Sequence, residues 1–189
     1  SQIELRVLAH LSQDSSMIEI LKNKKSDIHT ETASRIFDVQ IDDVTSDMRR
    51  KAKEVNFGLI YGMEAFGLSK SLVIEQKEAS QLIESYFSQF PKIKGFLDNI
   101  VLEATKDSYT ETLIGRKRYI RELNSSNFQV KAAGKRIAMN APIQGTAADI
   151  MKIAMIKVMQ KIRELDQPEL LLQIHDEIII ETRNSLSSK

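Results

Sequence analysis

Arg49-Arg50-Lys51-Ala52-Lys53-Glu54-Val55-Asn56-Phe57-Gly58-Leu59-Ile60-Tyr61-Gly62 is the stretch on which the reading of this chain turns. Arg49, Lys53, Phe57 and Tyr61 recur at every fourth position. On an α-helix each such step winds about 40° around the axis and climbs about 6 Å. The four side chains therefore form one slowly winding stripe about 18 Å long, cations first and rings last. That order suits a ligand with a polyanionic tail and a flat head, such as a nucleoside triphosphate. Arginine offers phosphate oxygens a planar fork, and lysine a mobile point charge. The same spacing also fits an ordinary amphipathic helix whose rings pack inward and whose cations face water. Gly58 costs a helix roughly 1 kcal/mol relative to alanine and leaves room beside Phe57 for a ligand or another backbone. Gly62 fits a C-terminal cap.

Upstream of this helix, Thr45, Ser46 and Asp47 are candidate N-caps. Asp27 is an N-cap candidate for a helix reaching Phe37, with an apolar edge of Ile28, Thr32, Ile36 and Phe37. Met17 to Leu21 reads as a short helix. Ser1 and Glu4 have capping-box spacing ahead of Leu5, Leu8 and Leu11. His10 and His29 pair with no second ligand in the sequence; His29 reads as a surface or capping residue. Downstream, Ala65–Leu72 reads as a helix. Two more, over 74–90 and 93–104, are separated at Pro91. Leu82, Ile83, Tyr86, Phe87 and Phe90 make a wide apolar face suited to a core.

Tyr109–Leu113 and Arg118–Ile120 read as strands around Gly115, a hairpin with a basic tip. From Gly115 to Arg136 the cations Arg116, Lys117, Arg118, Arg121, Lys131, Lys135 and Arg136 face one acid, Glu122. A solvated basic face and a nucleic-acid footprint both fit this cluster. Phe128 onward is helical, with Pro142 and Gly145 expected to bend or break it before a long helix resumes over 147–165. Its methionines, Met151, Met155 and Met159, read as core filler. Arg136, Asn140 and Gln144 are again four apart and share a face if the helix survives to Gln144. One arginine and two amides can donate to the minor-groove acceptors that every base pair presents. They also fit a plain polar helix face. Pro168 opens the last unit, two strands over 170–174 and 178–181 with His175-Asp176-Glu177 between them. Adjacent carboxylates at a tight turn are costly unless solvated or neutralised by a cation. Arg183–Lys189 reads as a frayed polar end.

With 189 residues the chain can bury one sizeable core or two lobes sharing one. The absence of cysteine rules out disulfides and thiolate metal sites. No apolar run approaches the roughly 20 residues needed to span a bilayer, and the first residues do not read as a signal peptide. No Gly-rich phosphate loop is present, so side chains and metal would have to hold a triphosphate.

Three of these stretches, in order, resemble the motifs of family A DNA polymerases, the bacterial DNA polymerase I type. Ser1-Gln2-Ile3-Glu4-Leu5-Arg6 is similar to the first palm motif. The stripe from Arg49 to Gly62 is similar to the nucleotide-binding fingers motif, and Gln173-Ile174-His175-Asp176-Glu177 to the last palm motif. The resemblance implies an α+β, mostly helical fold, a palm plus a helical fingers lobe, truncated at both ends. Residues 1–44 would start the palm, 45–108 form the fingers, and 109–189 form palm with the basic and acidic hairpins. It implies DNA synthesis on a primer–template DNA duplex from deoxynucleoside triphosphates, with two Mg²⁺ ions about 3.5–4 Å apart.

Arg49 and Lys53 are then expected on the outer phosphates, with Lys53 able to protonate the leaving pyrophosphate. Phe57 is expected beside sugar and base, where it implies poor use of dideoxynucleotides, and Tyr61 where the templating base enters. Glu4 is expected under the incoming sugar, excluding a 2′-hydroxyl. Asp176 would be a metal ligand and Glu177 a subsidiary acid near the metals. His175 would lie near the primer end, and Arg136, Asn140, Gln144, Arg116 and Arg118 would contact DNA. The family's other metal-binding aspartate would lie two positions before Ser1. A monomer in the bacterial cytoplasm, or in an organelle, with no membrane partner, is the implied setting. Two other readings compete: a single-subunit RNA polymerase, which would not be expected to carry an obstructing carboxylate at Glu4, and a non-catalytic nucleic-acid-binding module.

Overall fold

The computed structural model describes residues 2–23, 27–163 and 169–182. The capping box at Ser1, the opening of the last unit at Pro168 and the end over 183–189 lie outside them. Among the described residues seven α-helices come first: α1 (Gln2–Ser12), α2 (Ser15–Lys22), α3 (Ile28–Phe37), α4 (Ser46–Ile60), α5 (Ala65–Leu72), α6 (Gln76–Gln89) and α7 (Pro91–Asp107). A short hairpin of β1 (Tyr109–Glu111) and β2 (Lys117–Tyr119) follows, then the long α8 (Phe128–Ile162) and a second hairpin of β3 (Glu169–Ile174) and β4 (Glu177–Glu181). Both hairpins are antiparallel, and β3–β4 carries an irregularity between Leu170 and Leu172. The architecture is α+β and mostly helical. Among the described residues no helix is long and apolar enough to cross a membrane.

Local chemistry sets most boundaries. Asp27 caps α3 by accepting the Thr30 N–H at 2.9 Å, and Thr45 caps α4 by accepting the Met48 N–H at 3.2 Å. Pro91 does not merely divide two helices; it occupies the first turn of α7, where its missing N–H would have had no partner anyway. Buried Asp14 caps two helices at once. It accepts from Met17 N–H in α2 at 3.0 Å and from Lys92 N–H at the start of α7 at 3.1 Å, which ties the two together.

The main core runs without a break from Leu5 and Leu8 in α1 through Ala52, Val55 and Ile60 in α4 to Tyr86, Phe90 and Ile93. Ile143 and Ala147 of α8 join it. A smaller core sets Ile100 and Ala104 of α7 against Ile120, Leu123 and Ala138. Of the expected apolar face on α6, Leu82, Tyr86 and Phe90 are buried. Ile83 and Phe87 are only half-buried.

Two expectations need correcting. The helix does not break at Pro142 or Gly145; α8 runs as one element of 35 residues. A proline inside a helix costs about 3 kcal/mol. Here Ala138, Ala141, Ile143 and Ala147 are buried on both sides of it, and packing of that stripe offsets the lost hydrogen bond. Nor does Gly58 make room for a ligand. A Cβ there would sit 3.1 Å from the Met63 sulfur, so the space is taken by Met63.

Gly62 is the C-terminal cap expected. Its φ is +68°. Gly62 N–H donates to Leu59 C=O at 3.0 Å and Met63 N–H to Gly58 C=O at 2.8 Å, the paired bonds of a Schellman motif. A Cβ at Gly62 would also lie 2.9 Å from Arg136 Cγ on α8. Gly62→Ala should therefore lower the melting temperature by several degrees. The left-handed backbone alone costs roughly 1–2 kcal/mol, and each kcal/mol is worth about 2–4 °C at this size. An unchanged melting curve would refute the close α4–α8 contact.

Candidate functional site

On α4 the residues Ala52, Val55, Asn56, Leu59 and Ile60 are buried. That fixes the helix's rotation. Arg49 and Lys53 stay exposed, while Phe57 and Tyr61 are half-buried at the margin of the core. The guanidinium of Arg49 is engaged by Asp27, with Nε donating to Oδ2 at 2.9 Å and Nη2 to Oδ1 at 3.3 Å. Burial pushes the Asp27 carboxyl up, but bonds from Arg49 and Thr30 outweigh it and hold the group below its ordinary range. Lys53 makes no ion pair with another described residue.

His29 corrects the expectation of a surface or capping residue. It is only 7% exposed. Its Nδ1 lies 3.2 Å from Asn56 Nδ2, and its ring is 5.6 Å from that of Phe57. Burial lowers its pKa, and nearby Arg49 and Lys53 add to the effect against the pull of Asp27. The imidazole thus sits against the first ring of the stripe and feels both of its cations. No spacing rule could have found this, because its partner Asn56 lies 27 positions away.

At the other end of the stripe, the Tyr61 hydroxyl donates to Glu4 Oε2 at 3.1 Å. Burial and the Glu4 carboxylate push the phenol up, against the pull of Gln144. It therefore remains a donor. Glu4 and Tyr61 line a cleft of about 470 Å³ together with Ile3, Gln144, Gln173, His175 and Asp176. The cleft thus joins the end of α4 to the turn between β3 and β4. That turn is two residues long, with Ile174 opposite Glu177. His175 holds a left-handed backbone, φ +51°, braced by Gln173 Nε2 donating to its carbonyl at 2.7 Å. Positive φ is uncommon outside glycine and concentrates at functional sites. Here it sits next to the acid that faces the cleft.

Because α8 survives Pro142, Arg136, Asn140 and Gln144 share one face. With Tyr61 and Arg118 they line a second crevice of about 280 Å³. Tyr61 and Gln144 line both spaces, so the two adjoin. Arg116, expected beside Arg118 on DNA, is exposed and also bonded to α8. Its guanidinium is turned onto α8, with Nε donating to Asp149 Oδ1 at 2.8 Å and Nη2 to the Gly145 carbonyl at 3.0 Å.

The family profile described as DNA polymerase family A matches residues 1–189. The chain belongs to DNA polymerase family A. It is 52% identical over 182 residues to DNA polymerase I of Geobacillus stearothermophilus. It is 50% identical over 182 residues to the DNA polymerase I of Caldicellulosiruptor bescii and to that of Bacillus subtilis. Each match covers 96% of this chain and 21% of the relative, so the chain spans about a fifth of the length of these relatives. Its fold is similar to the polymerase domain of Pol1 from M. smegmatis, solved in complex with DNA primer–template and dNTP. The TM-score is 0.93 at 47% identity, over 100% of this chain and 33% of that one.

Within this family A chain, the only expected metal ligand is Asp176, exposed and opening on the cleft, with exposed Glu177 next to it. No group of three or more His, Asp or Glu side chains able to hold an ion forms among the described residues. Mg²⁺ characteristically takes one or two protein carboxylates and fills its octahedron with water and substrate phosphate oxygens. The acidic turn fits such a partial donor set.

Proposed function

We propose that this chain is the deoxynucleotide- and primer-binding part of a template-directed DNA polymerase, with fingers over 45–108 and palm on either side. The observation that carries the reading is the shared cleft. Glu4 on α1 and Tyr61 at the ring end of α4 line it together with His175 and Asp176, and the exposed cations Arg49 and Lys53 lie farther along α4. A deoxynucleoside triphosphate fits with its base towards Phe57 and Tyr61 and its phosphates towards the cations. Arg49 would trade the Asp27 carboxylate for phosphate oxygens. Lys53, unpaired by another described carboxylate, holds the outer phosphates and donates a proton to the leaving pyrophosphate.

Asp176, with Glu177 beside it, would hold Mg²⁺, which when bound supplies charge neutralisation at the phosphates. His175 positions the primer end. Arg136, Asn140, Gln144 and Arg118 receive the duplex along the second crevice. Much of the catalysis on this reading is positioning and charge stabilisation. The setting that goes with it is a monomer in the bacterial cytoplasm acting on nucleoid DNA.

Glu4 separates this reading from an RNA polymerase. Its carboxylate, anchored by Tyr61, stands where a 2′-hydroxyl would have to enter. In the full-length protein, Glu4→Ala should raise ribonucleotide incorporation relative to deoxynucleotide by about 10–100-fold, the 1–3 kcal/mol that steric discrimination by a small group supplies. Competition primer-extension assays measure the ratio. An unchanged ratio would leave Glu4 as a mere anchor for Tyr61. Duplex binding without any metal-dependent extension by the full-length protein would favour the non-catalytic module instead.

A further inference from the structure

The segment from Thr112 to Arg116, which joins β1 to β2, is fastened to the middle of α8 by a set of contacts that the stripe on α4 does not explain. Thr112 N–H donates to Arg116 C=O at 3.0 Å, and Arg116 N–H to Thr112 Oγ1 at 3.2 Å. The Leu113 N–H donates to Thr146 Oγ1 on α8 at 3.0 Å. Arg116 then reaches Asp149 and the Gly145 carbonyl. Gly145 is glycine because the loop comes so close. A Cβ there would lie 2.6 Å from Thr112 Cγ2 and 3.1 Å from Arg116 Nη2.

Asp149 is 4% exposed, whereas the side chain of its partner is 50% exposed. Burial pushes its carboxyl up, but the Thr112 hydroxyl and Arg116 together hold it below its ordinary range. It is thus an anion kept inside the protein with a cation at its surface end. Two residues beyond Arg116, Arg118 lies in the same narrow crevice as Arg116, Gln144 and Gly145. Arg118 also lines the larger crevice with Arg136 and Asn140.

We infer that Asp149 is a positioning residue for duplex binding: through Arg116 it clamps the β1–β2 hairpin onto α8, which holds Arg118 in line with Arg136, Asn140 and Gln144. This rests on the reading of that crevice as the duplex-facing surface. Arg116 is on this account the clamp, and Arg118 the phosphate contact. Loss of the Asp149 charge then has an effect of unusual sign. Removing a carboxylate from beside a polyanion's site ordinarily strengthens binding. Here it weakens binding, because Arg118 loses its place.

The test uses the full-length protein and a fluorescein-labelled primer–template duplex, with binding followed by anisotropy over a salt series. Each phosphate contact contributes about 0.9 to the slope of log affinity against log salt. Asp149→Asn is expected to weaken binding about tenfold, the cost of one charge-assisted phosphate bond. It should also lower the slope by about 0.9, although no cation has been removed. Arg118→Gln should do the same, and the double variant should add nothing further. Amide hydrogen exchange in the free protein should accelerate at Leu113 and Arg116 in Asp149→Asn. A change in global stability alone would not move the salt slope.

Should Asp149→Asn destabilise the domain, Arg116→Lys supplies the second arm. It keeps the charge but loses the fork that reaches both Asp149 and Gly145, so it too should weaken binding. Equal or tighter duplex binding by Asp149→Asn, additivity with Arg118→Gln, or unchanged exchange at Leu113 and Arg116 would each overturn the clamp. Arg136→Ala tells the two layers apart. If it leaves affinity intact, the duplex reading itself falls. If it weakens affinity while Asp149→Asn does not, only the clamp falls.

Discussion

Replacing Asp176 by asparagine in the full-length protein is expected to slow primer extension by at least about 10³-fold, with duplex affinity changed by less than about twofold. Asparagine keeps the size of the side chain and removes its charge. What is lost is a carboxylate at the only acidic turn that opens on the cleft among the described residues. Charge stabilisation by a bound metal is worth several kcal/mol at a reacting phosphoryl group, and each 1.36 kcal/mol is tenfold in rate. Duplex affinity is spared because Asp176 does not line the crevice that holds Arg118, Arg136 and Asn140. Single-turnover extension and anisotropy measure the two quantities separately. Extension within about tenfold of the parent would remove Asp176 from the reaction.

Lys53→Ala should lower kcat/KM for deoxynucleotide about 100-fold, and Arg49→Ala only about tenfold. Both are cations on the same stripe, but their ground states differ. Lys53 has no ion-pair partner among the described residues, so its attraction for phosphate is undiminished. Arg49 must first leave Asp27, to which it makes two hydrogen bonds. Part of any new bond then replaces an old one. A donor aimed at charge that develops in the reaction is worth about 10²–10³ in rate. Steady-state kinetics with a nucleotide series gives both ratios. The reverse order, with Arg49 dominant, would mean that Asp27 does not compete with the triphosphate.

The helices were largely legible from the chain itself. Asp27 and Thr45 cap their helices as their positions require, Gly62 closes α4, and the four-residue period places Arg49, Lys53, Phe57 and Tyr61 along one line. Each of these depends on energies exchanged within about one helical turn, and such energies are written in neighbouring letters. The two hairpins were legible for the same reason, although their strands are shorter or shifted by a residue at the ends.

What the fold alone decided involves pairs far apart in the chain. Tyr61 meets Glu4 across 57 positions, and Arg116 meets Asp149 across 33. His29 is buried against a helix that begins well after it. Pro142 stays inside a helix, against its local preference, because apolar side chains on both flanks are buried. The continuity of α8 in turn aligns Arg136, Asn140 and Gln144. Local propensity sets a cost of a few kcal/mol at such a position, and shared burial between elements exceeds it. Which elements share that burial is a property of the packed chain, and it set Arg116 against Asp149 of α8, beside Arg118 in one crevice.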